Sequence, residues 1–302
     1  MTETALRIHD LAEDPDRLER AMAHQQELSR TDAGIRRMME SIYLEADRNA
    51  AFDRFQASFE FRTILKLFDI FKVDRRALTC EIGGGPGFLA WAMAQSGFAA
   101  MHLLELNTRP ITGTGYLRGR PDAGSVTIHD DLATWHAGTD RFALIVTKNC
   151  IHHFKNISQA AAAIRQKLTP GARWFAFREW FAETPRELYD QLAGHPFSQT
   201  YGLYEWPYPA WHYVEAIEIA GFKLKGIVPL GYANNTLCTF QENTGGPEAA
   251  AFDQKVDEIL TSNPEATAAA FWDEVLKNRF QNGATRLFSR PQALVFEVAP
   301  IR

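Results

Sequence analysis

The sequence has few cysteines: Cys80, Cys150 and Cys238 are the only three among 302 residues. None sits at the short Cys/His spacing of a structural zinc site, and so sparse a set excludes a disulfide scaffold. Two of them lie in apolar, strand-like surroundings and read as buried thiols, which favours a reducing compartment, the cytoplasm. No apolar run approaches the length of a membrane span, and Met1-Thr2-Glu3-Thr4 does not resemble a signal peptide, so no membrane partner is expected. Long basic blocks are missing too. The formal net charge is -5, and Arg36-Arg37 and Arg75-Arg76 read as solvated charges. No nucleic-acid partner is expected of such a surface. Internal repeats and low-complexity stretches are also lacking.

The chain is 46% hydrophobic, enough for one large domain or for one domain with an appendage. It is organised around Cys80-Glu81-Ile82-Gly83-Gly84-Gly85-Pro86-Gly87-Phe88-Leu89. A short apolar strand ends here, glycines turn the chain, and Phe88, Leu89, Ala92 and Met93 continue at helical spacing. Glycines let a ligand approach the backbone closely, and the first N–H groups of the helix form a polar, anion-tolerant site. Two common ligands fit poorly. The third glycine of the dinucleotide fingerprint is replaced by Phe88, and no Gly-Lys-Ser/Thr ending makes a P-loop.

The spacing is instead acid-x-Gly-x-Gly-x-Gly: Glu81, Gly83, Gly85 and Gly87, with Gly84 between. It resembles the first motif of the class I S-adenosylmethionine-dependent methyltransferases of the small-molecule type. Other segments carry the resemblance further. Glu105 ends the next apolar run about twenty residues on, where an acid grips ribose hydroxyls. Asp130-Asp131-Leu132 follows a third strand, and Asp131 with Leu132 fits the position that meets the adenine. Thr147-Lys148-Asn149-Cys150-Ile151-His152-His153-Phe154 matches the apolar-His-His turn after the fourth strand, and Asn149 there faces the methyl group. Leu168-Thr169-Pro170-Gly171 and Ala220-Gly221-Phe222 match turns before the fifth and sixth strands. The resemblance implies S-adenosylmethionine as cofactor and S-adenosylhomocysteine as product, bound by Glu81, Gly83, Gly84, Gly85, Gly87, Glu105, Asp131, Leu132 and Asn149. No metal is expected, because Thr-Lys-Asn stands where metal-dependent relatives carry an acid. The Asn/Asp-Pro-Pro-aromatic turn of many nucleic-acid methyltransferases is also missing.

The implied fold class is α/β. It is a Rossmann-like methyltransferase fold, with a seven-stranded, mostly parallel sheet, an antiparallel last strand, an N-terminal helical region and a helical insertion. Strands are predicted at 77–80, 99–105, 125–129, 141–147, 172–178, 222–228 and 292–298. Residues 1–75 are predicted helical, with segments beginning at Asp14-Pro15, running from Asp32 to about Arg54, and covering Phe59–Phe71. That region packs on the domain of residues 76–302, covers its cofactor site or forms a homodimer surface. Arg62 there could reach a cofactor carboxylate. An aromatic lid segment spans 185–213 and a two-helix insertion spans 245–284.

In the lid, Tyr201, Tyr204, Trp206 and Tyr208 are expected to wall a substrate pocket, since rings supply apolar area with a polar edge. Methyl transfer is an in-line displacement, so the protein aligns reactants and excludes water, and supplies a base if the nucleophile arrives protonated. His152, His153 and His195 are the candidate bases, with Glu179 and Tyr204 behind them. The leading expectation is transfer to oxygen or nitrogen of a small-molecule acceptor. A non-catalytic cofactor-binding protein and a protein methyltransferase are the alternatives.

Overall fold

The structure, a computed structural model, describes residues 15–194, 206–233, 245–280 and 286–300. Its centre is one seven-stranded sheet in the order β3-β2-β1-β4-β5-β7-β6. The strands are β1 (Thr79–Ile82), β2 (Met101–Leu104), β3 (Val126–His129), β4 (Phe142–Lys148), β5 (Leu168–Phe177), β6 (Phe222–Val228) and β7 (Ala293–Val298). β1, β2, β3, β4 and β5 pair parallel, while β7 runs antiparallel between β5 and β6. The expected fold class is therefore the one observed. Every residue of β1 is buried, as a strand covered by helices on both faces requires. Side chains of β4 alternate between the faces: Ile145 joins one core with Trp174, Tyr213 and Phe296, while Leu144 and Val146 join the other with Phe52, Phe68 and Trp91.

Among the described residues, four helices precede the sheet: α1 (Pro15–Leu28), α2 (Ala33–Ser41), α3 (Arg48–Ala57) and α4 (Phe59–Ile70). The segment from Asp32 to Arg54, expected as one helical stretch, is broken. Tyr43 has φ 58°, a left-handed conformation that interrupts a helix. Three side chains then set the helix starts. Asp32 accepts from Gly34 N and Ile35 N, Asp47 from Ala50 N, and Ser58 Oγ from Phe61 N. Phe52, Phe55, Phe61, Ile64 and Phe68 enter the same core as α5 (Phe88–Gln95). The third and fourth helices thus share the core of the sheet domain.

Among the described residues, the remaining α-helices are α6 (Gly115–Arg118), α7 (Leu132–Ala137), α8 (Ile157–Arg165), α9 (Pro185–Gly194), α10 (Ala210–Ile219), α11 (Gly246–Ser262) and α12 (Glu265–Phe280). β5 begins four residues earlier than expected. Its Thr169–Ala172 stretch bulges where pairing with β4 jumps from Leu168 to Arg173, and Gly171 has φ 74°. In the insertion, Asn263-Pro264 separates α11 from α12. Asp257 of α11 accepts from Tyr232 Oη at 2.7 Å and pairs with Lys66 of α4. The expected stop at Asn282-Gly283 lies outside the described residues.

Candidate active site

A cavity of about 320 Å³ opens over the carboxyl ends of β1, β2, β4 and β5. This is where the connections of an open parallel sheet diverge and ligands bind. Its floor is the glycine turn. Gly83, Gly85 and Gly87 have φ of 68°, 54° and 85°, which an L side chain adopts only with strain. They differ in what a side chain would meet. A Cβ on Gly83 would collide with Cys150 Sγ, and one on Gly87 would lie 2.6 Å from Leu117. A Cβ on Gly85 would meet only Thr112 O at 3.6 Å and would stand in the cavity.

Two buried acids brace the turn. Glu81 Oε2 accepts from Ala90 N at 2.7 Å, so the first turn of α5 is capped by its own strand. The helix start is thus partly occupied by a carboxylate of the chain itself. Glu105 Oε2 accepts from Gly85 N at 2.7 Å and Oε1 from Asn107 N at 2.8 Å. Burial pushes both carboxyls up to about 7, against the opposing pull of these N–H groups. Both line the cavity.

The far side is built by the ends of β4 and β5. Lys148, Asn149, His153 and Arg178 line it. Lys148 Nζ pairs at 3.0 Å with Glu60, a fully buried acid of α4 that also accepts from Tyr43 Oη at 3.3 Å. The two histidines have different surroundings. His152 is 1% exposed, is not among the lining residues, and holds its Nδ1 3.0 Å from Glu179 Oε2. Glu179 also accepts from the N–H groups of Cys150, Ile151 and His152. Burial alone would raise the Glu179 carboxyl, but the His152 imidazole and these N–H groups outweigh it and hold it below its ordinary value. His152 therefore fixes the turn after β4, and His153, with ring centroids 4.2 Å away, is the histidine at the cavity.

The roof comes from the N-terminal helices. Leu18 and Met22 of α1, with Ile42 and Leu44 of the loop after α2, line the cavity. Glu19 ties α1 to the loop after β2, accepting from Ile111 N at 2.7 Å and from Thr112 N at 3.0 Å. Asp16 pairs with Arg109 at 2.6 Å.

Other expected site residues lie elsewhere. Asp131 is exposed, caps α7 by accepting from Thr134 N at 2.6 Å, and does not line the cavity. Its carboxyl is lowered by these hydrogen bonds to Thr134. Leu132 packs on the core beneath. Arg62 donates to Ala57 O at 2.7 Å and does not line the cavity. Trp206 N donates to His152 O at 3.2 Å, which brings the lid's end to the turn after β4. Tyr208 stacks on His212 at 4.4 Å, and neither ring residue lines the cavity. His195, Tyr201 and Tyr204 lie outside the described residues. Among the described residues, no group of three His, Cys, Asp or Glu side chains is placed to hold a metal.

Lys148, Glu60, Arg178 and the roof residues were not singled out by sequence. The signals were an acid within the Phe-rich stretch Phe59-Glu60-Phe61 and two basic residues directly at strand ends.

The family described as "Methyltransferase domain" matches residues 52–224, more than half of the chain. Solved structures of similar fold include the mitomycin 7-O-methyltransferase MmcR, 16% identical over 68% of this chain and 56% of its own, with a TM-score of 0.43. The chain thus spans little more than half of that enzyme. The [4+2]-cyclase SpnF is 15% identical over 80% of this chain and 82% of its own, with a TM-score of 0.47. An O-methyltransferase from a trans-AT PKS multienzyme of Brevibacillus brevis, solved with S-adenosyl-L-homocysteine, is 13% identical over 78% of this chain and 72% of its own, with a TM-score of 0.46. No curated protein matches in sequence.

S-adenosylmethionine is the methyl donor that goes with this family, and the residues present fit it. Gly85 leaves open the space that a Cβ would fill, Glu105 offers a carboxylate at the end of β2, and Asn149 stands at the end of β4. Sheet order, glycine turn and family match agree, and the chain belongs to the class I S-adenosylmethionine-dependent methyltransferases.

Proposed function

We propose that the protein methylates an oxygen or nitrogen of a small-molecule acceptor. The observation that carries this reading is the cavity itself: Leu18, Met22, Ile42 and Leu44 line it together with Gly85 and His153. A concave site of this size, with a mainly apolar lining, suits a small acceptor better than an extended polymer. The net charge of -5 also favours a small acceptor over nucleic acid. The buried free thiols Cys80 and Cys150 suit a reducing compartment such as the cytoplasm.

Bound S-adenosylmethionine supplies a methyl group already activated on its sulfonium. Gly83, Gly84, Gly85 and Gly87 would let the backbone approach it, and Glu105 would accept from the ribose hydroxyls. Asn149 orients the reacting end. His153, lining the cavity beside Asn149, takes the proton of the acceptor at a ring nitrogen. Glu179 and His152 keep the turn that carries His153 in place. The apolar roof excludes water.

The test is incubation with methyl-labelled S-adenosylmethionine and a cell extract separated into metabolites and proteins. Label in a small product supports the proposal. Label confined to protein makes the enzyme a protein methyltransferase, and cofactor binding without transfer to either fraction makes it a non-catalytic binder.

A further inference from the structure

Four charged side chains line the cavity, and three of them are already engaged. Glu81 holds Ala90 N, Glu105 holds Gly85 N and Asn107 N, and Lys148 pairs with Glu60. The fourth is Arg178. Among the described residues, its guanidinium has no hydrogen-bond or ion-pair partner. A guanidinium is always charged and presents a planar fork of donors suited to an oxyanion.

The backbone holds that fork in place from both sides. Lys148 and Phe177 are register partners, so Asn149 and Arg178 stand side by side one step beyond the ends of β4 and β5. Both have φ 52°. Asn149 N donates to Phe177 O at 3.0 Å, and Arg178 N donates to Gln292 O at 3.1 Å. The next residue, Glu179, is locked by three N–H groups and His152. A left-handed arginine is strained, and such strain persists only where neighbours over-determine it. Here they turn a cation into the cavity wall.

Its place along the sheet selects the ligand. Glu105 ends β2 and Arg178 ends β5, and the order β2-β1-β4-β5 puts them three strand spacings apart, roughly 14 Å. A cofactor held at Glu105 and over the β1 turn would have Asn149, at the end of β4, beside its reacting end. Arg178 stands one strand beyond, on the acceptor's side. A second cation near a sulfonium is unfavourable unless an anion comes between them. Resting on the methyltransferase reading above, we propose that Arg178 binds an oxyanion of the acceptor, a carboxylate or phosphate, so that the enzyme methylates anionic small molecules.

Benzoate and its neutral isostere benzamide are the probes, titrated calorimetrically into protein saturated with S-adenosylhomocysteine. The wild type is expected to bind benzoate about tenfold more tightly than benzamide, the difference one charge-assisted contact makes. Arg178→Gln is expected to abolish that preference, and Arg178→Lys to keep part of it. Affinity for S-adenosylhomocysteine is expected to be equal in all three proteins, which also shows that the variants are folded. Benzoate binding that is absent, or equal in wild type and Arg178→Gln, overturns the proposal. So does a loss of S-adenosylhomocysteine affinity in Arg178→Gln, which would assign the guanidinium to the cofactor's own carboxylate. Failure of the wild type to bind S-adenosylhomocysteine overturns the methyltransferase reading itself, a separate result.

Discussion

Glu105 Oε2 accepts the Gly85 N–H at 2.7 Å, so the acid at the end of β2 holds the open glycine of the β1 turn. The carboxylate both shapes the turn and faces the cavity. In Glu105→Gln, one acceptor oxygen becomes an NH2 group and a buried N–H loses its partner. That costs about 1–3 kcal/mol. The expected result is a lower unfolding midpoint in denaturant, with S-adenosylhomocysteine binding about tenfold weaker by calorimetry. An unchanged affinity would remove Glu105 from the cofactor site.

The same burial sets a pH dependence. Glu81 and Glu105 are raised from 4.5 to about 7 in the folded protein. The folded state holds the extra protons between those values, so the contribution of these acids to stability is complete below pH 4.5 and is lost as pH rises through about 7. If Glu105 takes the proposed ribose contact, its ionised form is the acceptor, so cofactor binding is expected to run the other way and strengthen as pH rises through the same range. Calorimetry at pH about 6.5 in two buffers of different ionisation enthalpy is expected to show proton release on binding S-adenosylhomocysteine, reduced in Glu105→Gln.

The pair of His152 and Glu179 is expected to matter for folding more than for chemistry. Both are buried to 1% side-chain exposure, and removing one partner of such a pair costs about 3–5 kcal/mol. Glu179→Ala should lose about that much. Its folded carboxyl is held below 4.5, so this stabilisation is present above pH 4.5 and is lost as pH falls through the folded value. Denaturation of wild type and Glu179→Ala at neutral and acid pH is expected to show the gap closing in acid.

His153→Ala is expected to separate from His152→Ala. The first should leave the unfolding midpoint nearly unchanged and lower kcat by about 10²-fold or more, the range of a lost general base. The second should destabilise the protein. Equal kcat in His153→Ala and wild type would transfer the base to another group.

Gly83→Ala and Gly85→Ala test the turn. Both force alanine to positive φ, costing about 1–2 kcal/mol. Only at Gly83 does the new Cβ collide with a buried side chain. Gly83→Ala is therefore expected to be the less stable, while Gly85→Ala stays folded but binds S-adenosylhomocysteine weakly because its Cβ stands in the cavity. Thermal melts with and without the ligand separate the two.

The sheet and its floor were legible because they rest on local signals. Short apolar runs end at Glu81, Glu105, Asn149 and Arg178, and glycine spacing marks the turn between the first run and its helix. The rest depends on contacts distant in the chain. Lys148 meets Glu60 across 88 positions, and Glu19 meets Thr112 across 93, with no local pattern to announce either. Asp131 shows the limit of a local signal. An acid before an apolar helix serves equally as a ligand or a cap, and the Thr134 N–H places it as a cap here. The break at Tyr43 was hidden for a related reason. Apolar residues continue at helical spacing through Leu44, while the left-handed turn answers to Arg48, whose Nη1 donates to Tyr43 O at 2.7 Å.

The fit of Gly83 against Cys150 couples two motifs that are far apart in the chain. A side chain at position 83 requires a smaller residue at position 150, so the two sites can drift only in concert. Among relatives, an alanine at the first should travel with a glycine at the second, and a lineage that changed one alone would lose the seam between cofactor turn and histidine turn.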